Sequence, residues 1–406
     1  MAGDAQDNER RLDGRYFDVV IVGCGVAGLF CALNLPRAMR ILMLSKRSLA
    51  ECNSMLAQGG MAALLDASDE EDYIEDTLRA GHYANRRESV RILVEESPQI
   101  VRDLVRLGVR FAREANGTLA RTREAAHSKA RVLFHEDITG REITECLLGH
   151  VIRRGNVTIL ENAEMVDLIE DDGRCVGAIY RDMEGTHRQA FGHNVVLATG
   201  GVGGMYPVST NFPLLTGDGV RVARMHGAKV EHLDWVQIHP TTLYTGKGGR
   251  AFLISESARG EGAHLLNAAK ERFVDELLPR DLLSRAIFDQ MSREGSHNVW
   301  LSFEDVPRPV VLGHFKHIYQ HCLDEGYDIL REPIPVAPAQ HYFMGGIWVD
   351  EKDSRTSLPG LYAVGETSCN GVHGRNRLAS NSLLDALVFS KRAARAISRE
   401  ERERHD

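Results

Sequence analysis

The stretch FDVVIVGCGVAGLFCALNL, residues 17–35, decides the fold. Its opening, FDVVIV, is an apolar run suited to a buried strand. Gly23-Cys24-Gly25-Val26-Ala27-Gly28 follows at once, and LFCALNL continues as a helix. A second apolar run, ILML at 41–44, closes a strand–helix–strand unit. A lone GxGxxG is a weak signal, but here a strand precedes it and a helix follows, which is the context a dinucleotide fingerprint needs. Gly23 permits the tight turn, Gly25 lets the backbone approach a pyrophosphate, and Gly28 allows close helix–strand packing. The competing reading, a glycine turn between two core elements, explains the spacing less well.

An acidic residue usually ends the second strand of such a unit and binds a ribose. This chain has Ser45-Lys46 there. A serine hydroxyl binds ribose less strongly, and Lys46 can reach a phosphate. The departure weakens a nicotinamide reading and favours FAD, which buries more surface and depends less on one contact. Two further glycine-ended strands, Ala198-Thr199-Gly200-Gly201 and Gly365-Glu366, read as later contributions to the same long cofactor. Glu366 is then a candidate ribose or ribityl contact, against the plainer reading of a surface acid.

Working outward, residues 70–107 carry apolar residues at helical spacing, and a helix over 142–154 leads into strand-like runs at 157–160, 164–169 and 175–181. The segment from about Trp235 to Pro338 is richer in proline and charge and lacks the run-then-glycine pattern. It reads as an inserted domain. LYAVGE at 361–366 returns to buried-strand texture, and 382–397 is a final helix. The fold expected is α/β: a Rossmann-like FAD-binding domain over 15–232 plus 338–400, an inserted α+β capping domain over 233–337, and flexible tails at 1–14 and 401–406.

The chain has 406 residues, more than one ordinary core holds, which agrees with two domains. Its formal net charge is −8 and no lysine/arginine run stands out, which argues against nucleic-acid or membrane-surface binding. The start, MAGDAQDNER, has no apolar core of signal-peptide type, and no stretch is long and apolar enough to span a bilayer. Seven scattered cysteines form no CxxC pair, so zinc and iron–sulfur sites are not expected, and a reduced cytoplasmic protein fits. No metal site is expected.

VHGRNRLASNSLLDAL, 372–387, sets His373, Arg375 and Arg377 just ahead of Ser380-Asn381-Ser382, which opens an apolar helix. A helix start presents free N–H groups and partial positive charge. An arginine grips a carboxylate through two parallel hydrogen bonds. Together they offer a site for an electron-accepting ring and an anchor for a small diacid.

At this point the chain resembles the flavoprotein subunits of the succinate dehydrogenase and fumarate reductase family, most closely its L-aspartate oxidase branch. The matching stretches are SMLAQGGMAA (54–63), TREAAHS (122–128), TGREITECL (139–147), IHPTTLY (238–244), SARGEGAHL (257–265), PRDLLSRAI (279–287), AQHYFMGGIWVD (339–350) and HGRNRLASNSLLDAL (373–387). They cover nearly the whole chain in the expected order. Membrane-bound members attach FAD to a histidine five residues before the AQGG glutamine. Counting back from Gln58 gives Asn53, so the resemblance implies non-covalent FAD. It also implies cofactor contacts from Gly23, Gly25, Val26, Ala27, Gly28, Ser45, Lys46, Asn53, Ser54, Ala57, Gln58, Gly59 and Gly60. Ala198, Thr199, Gly200, Gly201, Asp218, Gly365, Glu366, Ser380, Asn381, Ser382 and Leu383 complete that set. Two departures stand out. Ala125-Ala126 replace two glycines common in the oxidases, and the family's C-terminal helical domain is expected to be absent.

The resemblance implies these roles. Arg377 grips one substrate carboxylate, and His239, His341 and Ser255 hydrogen-bond carboxylate oxygens. Arg280 lies beside the substrate carbons and either moves a proton or clamps a carboxylate. Glu124 faces the ammonium of L-aspartate and repels a diacid without one. His127 and His373, inside matched motifs, are candidates for flavin or substrate contacts. His82, His150, His193, His226, His297, His314, His317 and His321 are expected to be structural or surface. Arg259 either orients a closing loop or forms a structural ion pair. The activity implied is oxidation of L-aspartate to iminoaspartate with oxygen or fumarate as acceptor, feeding quinolinate and NAD synthesis. Quinolinate synthase is a possible partner, and a monomer or weak homodimer is expected. The alternatives are a soluble fumarate reductase or succinate-oxidising flavoprotein, and an FAD-binding remnant without catalysis.

Overall fold

The computed structural model describes residues 15–405. Residues 1–14 and 406, expected as tails, lie outside the described residues. Residues 401–405 are not a tail: they continue the helix Asn381–His405, and Glu401 is buried, accepting a hydrogen bond from Asn194 Nδ2 at 3.1 Å.

The run read as a buried strand is Tyr16–Val22, and it is central. It pairs in parallel with Ile41–Leu44 on one side and His187–Leu197 on the other. Val157–Leu160 extends the sheet beyond Ile41–Leu44. Near-continuous β-branched and leucine runs are what a sheet covered on both faces requires. The 11-residue strand His187–Leu197 serves two further partners. Its first half pairs antiparallel with Arg174–Arg181, which pairs with Glu164–Asp171; its second half pairs parallel with Leu361–Ala363. The chain thus leaves this sheet after 197 and re-enters it at 361.

The helix Val26–Asn34 lies against one sheet face beside Asn381–His405 and Arg87–Leu107, and Leu29, Phe30, Leu384, Leu387 and Leu93 share one apolar cluster. Burying each such side chain contributes on the order of 1.5–3 kcal/mol. Val20, Val195 and Leu197 face a second cluster on the other side. Gly23 has φ +111, and a Cβ there would sit 2.1 Å from Ala198 O, so only glycine lets the turn pass this close to the neighbouring strand. A Cβ on Gly28 would sit 2.0 Å from Gly23 O, so this glycine seats the helix directly on that turn.

A second sheet is antiparallel throughout, in the order Phe252–Leu253, Val236–Leu243, Ile334–Phe343, Val299–Ser302, His264–Leu266. With the helices Arg280–Glu294 and Lys316–Asp324 it encloses its own core, including Leu265, Ile287, Ile318 and Val336. The strand Ile334–Phe343 runs through the boundary expected at 337/338, carries His341, and stays paired with Val236–Leu243 as far as Phe343. The pairing of Val236–Leu243 with Ile334–Phe343 slips between Gln237 and Ile238 and again between His239 and Thr242. Pro240, which has no N–H to donate, sits within the second slip. Such irregularities re-aim side chains, and here they fall on either side of His239.

Candidate active site

One cavity of about 340 Å³ runs from the glycine turn to the second sheet. Its walls include Glu124, His239, Ser255, Arg280, His341 and Arg377, so all six expected catalytic residues converge there. They come from separate elements. His239 and His341 ride the paired strands Val236–Leu243 and Ile334–Phe343. Arg280 is the first residue of the helix Arg280–Glu294, and Ser255 precedes the helix Glu256–Gly260. Arg377 precedes the helix Asn381–His405, and Glu124 comes from the loop before Val132–Leu133.

Hydrogen bonding places the ring proton of His341. Arg377 Nη2 donates to His341 Nε2 at 3.1 Å, so the ring proton is on Nδ1, 2.8 Å from Thr210 Oγ1. His341 therefore braces Arg377 from the cavity wall. His239 Nδ1 lies 3.2 Å from both the Thr241 N–H and the Thr241 carbonyl oxygen, and His239 Nε2 is buried without a protein partner. Burial and then the charge of Arg280 hold both imidazoles well below their usual pKa, hence neutral.

Arg377 is buried over the Tyr342 ring, 4.5 Å from its centroid, and donates from Nη1 to Ser382 Oγ at 3.1 Å. Burial, then the nearby Arg280, lower its pKa to about 10, still charged at neutral pH. Gln237 links the two arginines: its Oε1 accepts from Arg280 Nη1 at 2.8 Å and its Nε2 donates to Arg377 O at 2.8 Å. Arg280 Nε donates to Glu256, whose carboxylate is 3.7 Å from Arg259. Arg259 is thus part of a buried ion-pair cluster, which agrees with the second of its two expected readings, a structural ion pair.

Glu124 is buried, yet its carboxylate meets the cavity. Ser257 Oγ donates to Oε1 at 2.8 Å and Ser380 Oγ to Oε2 at 2.6 Å. Burial, then the negative charge of Glu256, push its pKa up, and the two hydroxyls pull it down.

Most expected cofactor residues line the same cavity: Gly23, Gly25, Val26, Ala27, Ser45, Lys46, Asn53, Ser54, Ala57, Gln58, Gly59, Gly60, Ala198, Thr199, Gly200, Asp218, Gly365, Glu366, Ser380, Ser382 and Leu383. Three do not. Gly28 lies beneath the turn, Gly201 packs against Glu366, and Asn381 spends its side chain on Tyr73 Oη at 2.8 Å and Thr77 Oγ1 at 3.2 Å. Lys46 is held 2.6 Å from Asp218 and 3.2 Å from Glu164, so its charge is matched by two acids before any phosphate arrives. Glu366 accepts from the Phe343 N–H at 3.0 Å, and burial pushes its pKa up to about 7.

His127 and His373 are not wall residues. His127 accepts from Arg131 at Nδ1 (3.0 Å) and donates from Nε2 to Ala379 O (3.0 Å), bracing the turn before Ser380 from behind. His373 lies 3.3 Å from Asp385 and 3.4 Å from Tyr342 Oη. Conversely His317, expected to be structural or surface, lines the cavity and bonds Asp137 at 2.6 Å. The sequence reading passed over Gln237, Glu256 and Ser257. Gln237 stands two residues before His239, and the other two directly follow Ser255, so adjacency to picked residues was the available signal.

The cavity suits a long cofactor with polar edges. Buried atoms without partners on its walls include Gln58 Oε1, Asn211 Oδ1, His239 Nε2 and Arg377 Nε. The glycine turn leaves the start of the helix Val26–Asn34 open to it, apart from the Val26 N–H, which bonds Ser54 Oγ at 3.0 Å.

An FAD-binding-domain family model matches residues 18–383. L-aspartate oxidase of Clostridium perfringens is 50% identical over 95% of this chain and 87% of its own length. The Nostoc sp. L-aspartate oxidase is 44% identical over 93% of this chain and 67% of its own length. Among solved structures, a mutant E. coli quinol fumarate reductase FrdA superposes with a TM-score of 0.89 at 30% identity, covering 97% of this chain and 71% of that one. The chain therefore belongs to the L-aspartate oxidase family of FAD-binding flavoproteins, the group that also contains the fumarate reductase flavoprotein.

Proposed function

We propose that this protein oxidises L-aspartate to iminoaspartate, using FAD and passing the electrons on to oxygen or fumarate. Residues 23–28, 54–60, 198–200 and 365–366 are read as the FAD cradle, and Asn53, an amide, as the reason attachment is non-covalent. The FAD, once bound, supplies the hydride acceptor.

The chain's own residues then hold, orient and discriminate. Arg377 meets one substrate carboxylate, its guanidinium braced by His341 and Ser382 so that little is left to order on binding. His239, in the tautomer with its proton on Nε2, is placed to donate to a carboxylate oxygen, and the Ser255 hydroxyl does so when it turns from Ser257 Oγ to the substrate. Arg280 adds a second cation, tied by Gln237 to the first. Glu124, an acceptor among these cations, reads the substrate ammonium. A diacid without an ammonium meets an unpaired buried negative charge there, and that asymmetry supports an amino acid over succinate. Fumarate reduction must add a proton to carbon, and Arg280–Glu256–Arg259 is the connected chain that reaches the cavity. The helix start at 381–383 offers partial positive charge where negative charge develops.

The observation that carries this reading is the buried Glu124 carboxylate opening onto the cavity that Arg280 and Arg377 line. Glu124→Gln tests it: L-aspartate oxidation should fall steeply while fumarate reduction persists. Equal retention of both activities contradicts the reading. We further propose that the product, an unstable imine, passes to a quinolinate-forming step, and that the protein works in a reduced cytoplasm, where its seven free cysteines stay free.

A further inference from the structure

Ser257 does not touch the cavity, yet it governs a group that does. It is fully buried in the first turn of the short helix Glu256–Gly260. Its hydroxyl donates to Glu124 Oε1 at 2.8 Å and accepts from Ser255 Oγ at 3.3 Å. Ser255 Oγ in turn accepts from the Ser257 N–H at 3.3 Å. The result is a hydroxyl relay from a cavity-wall serine to the cavity-wall acid. The relay has little slack. A Cβ on Gly60's neighbour Gly59 would come within 2.5 Å of Glu124 Oε1, and one on Gly260 within 2.4 Å of Arg123 O. The acid is therefore wedged between the Gly59 backbone and the helix that carries Ser257.

We propose that Ser257 is a positioning residue for substrate choice: its hydroxyl fixes the Glu124 carboxylate in the orientation that accepts an ammonium group, so that amino-dicarboxylates are preferred to plain dicarboxylates. This rests on Glu124 being the amine reader. A carboxylate has about four lone-pair directions. Ser257 and Ser380 occupy one on each oxygen, which leaves the remaining pair for a substrate N–H. Without Ser257, Oε1 loses a charge-assisted bond, the side chain gains rotamer freedom, and burial raises the acid's pKa with one hydroxyl fewer to oppose it.

The test is Ser257→Ala and Ser257→Thr in the FAD-loaded enzyme, with L-aspartate and succinate as substrates across pH. The alanine variant should raise KM for L-aspartate about tenfold, the loss of one hydrogen bond to a charged group. Its acid limb for L-aspartate should move to higher pH, and its preference over succinate should shrink. Threonine, which keeps the hydroxyl, should restore both. An unmoved acid limb and KM in the alanine variant overturn the proposal. Should that variant not fold, Ser257→Cys, similar in size and a weaker donor, carries the test, and an unmoved limb there overturns the proposal equally. Glu124→Gln run alongside separates the two ideas. If it removes the aspartate preference while Ser257→Ala does nothing, only the Ser257 role fails; if it leaves the preference intact, amine reading by Glu124 fails first.

Discussion

Arg377 donates from Nη2 to His341 Nε2 at 3.1 Å, and this bond sets the guanidinium facing the cavity before any substrate arrives. It also fixes His341 as a neutral ring with its proton on Nδ1, turned to Thr210. Preorganisation of this kind matters because a cation free to wander would lose on ordering much of what it gains on binding.

Arg377→Leu should bind FAD and fold, since its direct contacts go to Tyr342, Ser382 and His341, while Glu366 and Glu256 act on it through charge at a distance. Its kcat/KM for L-aspartate should drop by about 30-fold or more, the cost of leaving a buried carboxylate without its charge partner. Arg377→Lys should recover only part, because an ammonium cannot make both the His341 and Ser382 bonds and a bidentate substrate contact. Steady-state kinetics on the flavin-loaded variants decide it.

Glu124 sets a pH dependence whose sign follows from its surroundings. Burial, then the charge of Glu256, raise its pKa above the ordinary carboxylate value, so it takes up a proton at higher pH than an exposed glutamate would. Only the charged form attracts an ammonium. KM for L-aspartate should therefore climb on the acid side, while KM for fumarate should not follow. A KM–pH series for both ligands checks this, and parallel curves would count against the assignment.

Arg280→Lys keeps a positive charge but loses the fork that reaches Glu256 and Gln237 together. If Arg280 moves a proton, the variant should bind L-aspartate normally, judged by flavin spectral shift, and fail to reduce the flavin. If it only clamps a carboxylate, near-native reduction should remain. Stopped-flow reduction separates the two.

Arg131→Leu tests a support rather than the site. Arg131 is fully buried and holds Asp69 through two 2.8 Å bonds and Asp76 at 2.6 Å, and it braces His127 behind Ala379. Its removal takes charge-assisted bonds from two buried carboxylates, leaving Asp76 with Arg79 and Ser128 and Asp69 with Lys129 at 3.6 Å, which should cost about 1.5–3 kcal/mol of stability. Denaturant melts with an unchanged slope would report it, and a loss under about 1 kcal/mol, the range of exposed ion pairs, would show the cluster to be dispensable.

How much was legible followed the physics of each signal. The glycine turn and its flanking apolar runs identified the strand Tyr16–Val22 and the helix Val26–Asn34 because backbone approach and burial constrain residue type directly. Five of the six cavity residues were reachable because they sit in motifs with a recognisable order, and Ser255 stands two residues ahead of one. What stayed hidden depends on long-range contacts. Gln237 is silent until the strand slip brings it between Arg280 and Arg377. Ser257 looks like any helical serine until Glu124 arrives from 133 residues away. Lys46 and Asn381 read as cofactor contacts, and their partners Asp218 and Tyr73 come from distant segments. The run to His405 was read as a frayed tail because its charge is high, and the buried Glu401 shows that one of those charges is spent on Asn194.

The most direct measurement is anaerobic mixing of the yellow flavoprotein with L-aspartate and, separately, with succinate, following loss of flavin colour. Rapid bleaching by L-aspartate with little or none by succinate is the predicted result. Bleaching by succinate as fast as by L-aspartate, or by neither, would contradict an amine-reading carboxylate set among two arginines.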